Sequence, residues 1–118
     1  MTWFTAHIVM LSKFIDGPQD LYSVWENIVI IRADSKKIAF EKAQKIGLEN
    51  EELSGNTTLN DRPIHIVFSG VRKLVTFEDP DSGPVDGLEV SYSEFEMKNE
   101  KAFQKFIQGK PVFVNYKD

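Results

Sequence analysis

The chain has 118 residues, 42% of them apolar and 12% aromatic, which suits one self-supporting domain over residues 1–118 and is too short for two. Fourteen Lys and Arg stand against eighteen Asp and Glu, a net charge of −4, so the concentrated positive charge of a nucleic-acid or anionic-membrane binder is missing. Cysteine is absent, which excludes disulfide scaffolds, thiolate zinc sites and cysteine nucleophiles and leaves folding to packing alone.

Residues 3–14 alternate with a period of two. Phe4, Ala6, Ile8, Met10 and Phe14 fall on one face, which belongs in a core. Trp3, Thr5, His7, Val9, Leu11 and Lys13 fall on the other, too apolar for a fully wet surface, so something is expected to half-cover it. Asp16 to Asp20 is a loop by composition, and Tyr22 to Ala33 reads as a second long strand ending in Ile28-Val29-Ile30-Ile31. The two strands should pair as an antiparallel hairpin.

Asp34-Ser35 offers N-cap chemistry for a helix over about 35–48, with Ile38, Ala39, Ala43 and Ile46 recurring near a 3.6-residue period. Glu41 stands four residues before Lys45, the favourable order for a helical ion pair, and Gly47 lies where the helix should stop. Residues 49–58 read as a polar loop, and Leu59 to Pro63 as the turn of a hairpin. Ile64, Ile66 and Phe68 then mark a strand, which Gly70 interrupts as a bulge would before it continues over 71–77 on a shifted face.

Residues 78–87 carry two prolines and two glycines and form a loop. Leu88, Val90 and Tyr92 alternate as a further strand reaching towards Met97. Asn99 caps a second helix whose Ala102, Phe103, Phe106 and Ile107 make one apolar stripe, stopped by Gly109 and Pro111, and residues 112–116 close the chain as a strand. The expectation is an α+β fold, an antiparallel or mixed sheet of about six strands with two helices, in the order ββαβββ-α-β.

Trp3 in the opening strand, Trp25-Glu26 before Ile28 to Ile31, the helix from Ala33-Asp34-Ser35 to Ala43, Phe68-Ser69-Gly70-Val71 and Gly87-Leu88-Glu89 together resemble the family named domain of unknown function 4288. The likeness spans Trp3 to Ser93, and the helix from Asn99 and the strand from Val112 look like an addition to it. It implies a bacterial or phage origin and brings no activity, substrate or catalytic residue with it.

Motifs for chemistry are sparse. His7 and His65 lie on strands, and with Glu26 or Glu89 they would be the donors of a small metal-dependent hydrolase, yet no H-x-H or H-E-x-x-H spacing joins them. No Gly-x-Ser-x-Gly elbow and no phosphate loop is present. The acidic loop from Asp79 would need Gly at Pro84 and Glu at Val90 to be an EF-hand. Ser69 and Val71 stand where an RNA-recognition strand needs a basic residue and an aromatic. Neither a metal nor a cofactor is therefore expected.

Charge is more informative. Between Glu78 and Glu100 eight acids face the single base Lys98, a local charge of −7 that suits a basic protein partner, as in an immunity or inhibitor protein. Asp79, Asp81, Asp86, Glu89 and Glu94 are the candidates. Trp3 and Trp25, with Val9 and Leu11, make the half-covered face a second candidate surface, suited to a homodimer. The expected protein is a cytoplasmic, non-enzymatic protein-binding or homo-oligomeric module that engages neither nucleic acid nor membrane.

Overall fold

The computed structural model describes residues 2–78 and 86–117. Its elements are β1 (Thr2–Phe14), β2 (Ser23–Ala33), α1 (Lys36–Glu49), β3 (Glu52–Leu59), β4 (Arg62–Phe77), β5 (Phe95–Glu96), α2 (Glu100–Ile107) and β6 (Asn115–Tyr116). The order agrees with the α+β reading. The six strands divide into a four-stranded antiparallel sheet, β2-β1-β4-β3, and a two-stranded one, β5-β6.

The alternation in β1 decides the layering. Phe4, Ala6, Ile8 and Met10 are buried beneath α1, joined by Ile31 and Ala33 from β2 and by Ala39 and Ala43 from the helix. The two small helical residues allow close approach to the sheet. Burying Ile8 and Met10 completely contributes roughly 2 kcal/mol each. Ser35 opens α1 as its N-cap, its hydroxyl accepting from the Ile38 N–H at 3.2 Å. Helix α1 ends at Glu49, close to the expected stop, and Gly47 lies in its last turn. It is glycine because the Phe68 ring presses on it, and an added Cβ would come within 2.3 Å of Phe68 Cδ1. Lys45 pairs with Glu49 at 3.9 Å, one turn beyond the expected Glu41.

Residues 52–59, expected as part of a loop, form strand β3. Their polar composition suits a sheet edge, and the pairing with β4 breaks register between Glu52 and Thr57, where Gly55 takes a φ of 80°. The β3–β4 turn is the expected one. Asn60 and Asp61 both take positive φ, as a two-residue hairpin turn requires. At the same end of the sheet, Arg62 ties down the β1–β2 connection by donating to the carbonyls of Asp16 (2.7 Å) and Pro18 (2.9 Å) and to Asp20 Oδ1 (3.0 Å).

The expected strand over 88–97 reduces to Phe95–Glu96. Residues 88–92 form no strand: they lie across the second face of the sheet, where no strand edge offers a ladder, and their backbone is held by side chains instead. Thr5 Oγ1 donates to the Val90 carbonyl and Lys73 Nζ to the Tyr92 carbonyl. The final strand is likewise confined to Asn115–Tyr116. Asn99 caps α2 through its side chain, which accepts from the Ala102 N–H at 2.9 Å. Phe106 and Tyr116 gather around Phe95, at ring-centroid distances of 5.1 and 4.8 Å. No described helix is long and apolar enough to cross a membrane.

Candidate functional site

Opposed residues of an antiparallel pair share a face, so the register assigns every strand residue. Thr5 and His7 of β1 lie on the face away from α1, with Ile30, Ile28, Glu26 and Val24 of β2 and Lys73, Val75 and Phe77 of β4 beside them. Two shifts in the β1–β4 pairing flank Ile8 and Val9, leaving Ser69 and Arg72 as the extra residues of β4. The shift between His7 and Ile8 leaves Arg72 extra, so Arg72 and Lys73 are consecutive, yet both reach the second face, because a bulge breaks the alternation.

A polar cluster results. His7 is buried, and its Nε2 hydrogen-bonds Ser91 Oγ from the crossing segment. Its Nδ1 has no hydrogen-bond partner and lies 3.8 Å from Glu26 Oε2. Glu26 accepts from Arg72 Nε at its other oxygen, and the Arg72 guanidinium lies 4.5 Å from the centre of the Tyr116 ring. Lys73 Nζ lies 4.2 Å from the Tyr92 ring. Desolvation pushes the His7 pKa below its ordinary value; Glu26 opposes the shift, and Lys73 and Arg72 add to it. A neutral His7 with its proton on Nδ1 points that proton towards Glu26 and leaves Nε2 to accept from the Ser91 hydroxyl.

Serine, histidine and carboxylate thus occur in hydrolase order, but the His7–Glu26 link is too long for a hydrogen bond and Glu26 already accepts from Arg72 through Oε1. The cluster's contacts are cohesive ones. They fasten residues 90–92 and Tyr116 to the sheet, and with them the half-cover expected for this face.

The remaining candidates disperse. Trp3 lies on the second face, its ring 6.0 Å from Phe77 and under Arg32 at 5.4 Å. Val9 and Leu11 share that face and are half-buried. Trp25 does not: it is opposed to Met10 and so lies on the α1 face, where it is partly exposed. The expectation of both tryptophans on one surface is therefore wrong, and simple strand parity is the reason. Asp86, Glu89 and Glu94 are exposed on the crossing segment, while Asp79 and Asp81 lie outside the described residues. His65 is opposed to Lys13, six residues along β1 from His7, and does not meet Glu26 or Glu89. Among the described residues no three His, Cys, Asp or Glu side chains converge as metal donors.

Arg72, Lys73 and Ser91 were absent from the expected site. Gly70 signals a bulge in sequence and adjoins the shift at Ser69, but only the pairing shows the further shift at Arg72 that turns two successive cations to one face.

A four-stranded antiparallel sheet with one covering helix, extended by a small C-terminal β-α-β unit, defines the class as α+β. The sequence model of the family described as Domain of unknown function (DUF4288) matches residues 3–90, and the chain belongs to that family. Strands β1–β4, α1 and the start of the crossing segment lie within the match, while β5, α2 and β6 lie beyond it. No curated protein and no solved structure matches the chain.

Proposed function

We propose that this protein is a non-enzymatic protein-binding module that assembles with itself through strand β2. The observation that carries this reading is the contrast between the two edges of the main sheet. Strand β3 is blunted by a register break and a positive-φ glycine. Strand β2 is eleven residues long, regular throughout its pairing with β1, and contains neither Pro nor Lys. An edge of that kind is a template for another strand unless something guards it.

Its outward side chains are apolar as well. Ile28 and Ile30 are 57% and 59% exposed, and Val24 beside them is 53% exposed. Sedimentation of the purified chain at micromolar concentration should give a dimer, and Ile30→Lys should give a monomer of unchanged circular dichroism. A wild-type monomer would refute self-assembly. A dimer that Ile30→Lys leaves intact would move the interface away from β2.

A further inference from the structure

Strand β2 carries a pattern that selects one way of meeting a second copy. In an antiparallel pair of identical strands about a two-fold axis, the position of the axis decides which side chains are opposed. An axis at Ile30 sets Glu26 against Asp34, a like-charge pair. An axis at Ile28 sets Glu26 against Ile30 and Arg32 against Val24. An axis at Val29 sets Ile28 against Ile30 on both sides of the centre and Glu26 against Arg32 at both ends. Only the last pairs apolar with apolar and acid with base.

A second, independent feature agrees with the axis at Val29. Beside the β2 edge, between the strand and α1, lies a groove of about 320 Å³ lined by Ile31 and Ile46 and by the charged Lys42, Lys45 and Glu49, among others. Trp25, 36% exposed, is on the α1 face of β2. With the axis at Val29 it is opposed to Ala33 of the second copy and diagonal to Ile31, the residue that lines the groove. A large ring meets a small residue and a slot that is apolar at Ile31 and Ile46 and rimmed by charge, with Lys45 paired to Glu49 and Lys42 to the Arg32 carbonyl. The free stretch of edge ends at Arg32, whose carbonyl accepts from Lys42 Nζ at 2.7 Å.

We infer that two copies pair β2 against β2 about a two-fold axis at Val29, each seating its Trp25 in the β2–α1 groove of the other and joining the two sheets into one of eight strands. This rests on the self-assembly proposed above. Ile28 and Ile30 form the apolar centre, and at each end Arg32 meets Glu26, which keeps its bond to Arg72 through Oε1 and offers Oε2.

The absence of native cysteines makes cross-linking a clean test. Ile28→Cys and Ile30→Cys are prepared separately, mixed at micromolar concentration, allowed to exchange subunits, and oxidised mildly. Residues opposed across the strands lie about 4.5–5.5 Å apart at Cα, within disulfide reach, whereas each position is roughly 8 Å or more from its own copy. The mixture should therefore yield a mixed disulfide dimer and each variant alone little. Equal cross-linking of Ile28→Cys with itself would place the axis elsewhere and overturn the register, while leaving self-assembly standing. A monomeric wild type would instead overturn the self-assembly beneath it.

Two further variants read the same register without new bonds. Arg32→Glu, which sets two acids against each other at each end, should weaken the dimer at least about tenfold. Trp25→Ala should weaken it by a similar factor with the monomer's circular dichroism unchanged. A dimer indifferent to both, or one abolished by Phe103→Lys on α2 instead, would overturn the proposal.

Discussion

Arg72 and Glu26 are bonded to each other across a strand that belongs to neither: Arg72 is on β4, Glu26 on β2, and β1 lies between them. The pair closes over His7 and holds the Arg72 guanidinium against Tyr116. It thereby links the main sheet to the C-terminal unit. Arg72→Met should make residues 86–117 markedly more sensitive to limited proteolysis while the β1–β4 core stays protected. A double-mutant cycle with Glu26→Gln should give a coupling of about 1 kcal/mol, the upper end for a partly exposed pair. Additive effects would mean the two charges act separately.

His7 gives the same cluster a pH dependence. Desolvation holds its pKa in the folded protein below 6.5, with Glu26 resisting and Lys73 and Arg72 assisting. The unfolded chain therefore binds the proton first as the pH falls. The contribution to stability is complete above about pH 6.5 and is lost progressively as the pH drops from there towards the folded-state value. Thermal unfolding should show a falling midpoint from pH 7 to pH 5, and His7→Gln, which keeps a hydrogen-bonding group towards Ser91, should flatten that fall. In Arg72→Met the imidazole resonances should titrate at higher pH than in the wild type, since one opposing cation is gone.

Much of the main sheet was legible because its signals are local. Alternation fixed the buried row of β1, Ser35 and Asn99 marked both helix starts, and Asn60-Asp61 marked the tight turn. Strand β3 was hidden because Ser54, Asn56 and Thr57 read as loop composition. An edge strand with one wet face needs few apolar residues, so composition cannot find it. The segment 88–92 misled in the opposite sense. Its alternation reads as strand, but a ladder also requires an edge, and these residues cross a face.

The site was less legible than the fold for a related reason. His7, Glu26, Arg72 and Ser91 are brought together by strand order β2-β1-β4 and by one bulge, neither of which spacing along the chain encodes. Once register is known, Trp3 and Trp25 separate onto opposite faces by parity alone. Strand order, not residue type, was the missing quantity.

Arg62 should matter more than its exposure indicates. Its guanidinium donates to two loop carbonyls and to Asp20, and lies 3.6 Å from the centre of the Phe14 ring. Charge-assisted bonds to backbone acceptors cannot be replaced by a lysine, which lacks the planar fork. Arg62→Ala should lower unfolding stability by about 1–2 kcal/mol in urea titration, and Arg62→Lys should recover less than half of the loss. Full recovery by lysine would show that charge alone, and not the fork, holds the loop.

Gly47 sets two effects of similar size against each other. Alanine there would improve helix propensity by about 1 kcal/mol, while its methyl group would meet the Phe68 ring at 2.3 Å. Phe68 cannot simply retreat. It packs against the buried core, and its N–H donates to Glu51 Oε2 at 2.9 Å, which fixes the strand beneath the helix. Overpacking of a held ring costs roughly 1–3 kcal/mol, so Gly47→Ala should be destabilising by about 1 kcal/mol net. Shortening the ring should reverse the sign: in a Phe68→Leu background the same substitution should stabilise, because the methyl group then fills the space left behind. Equal effects of Gly47→Ala in both backgrounds would show that the helix is not positioned by this contact.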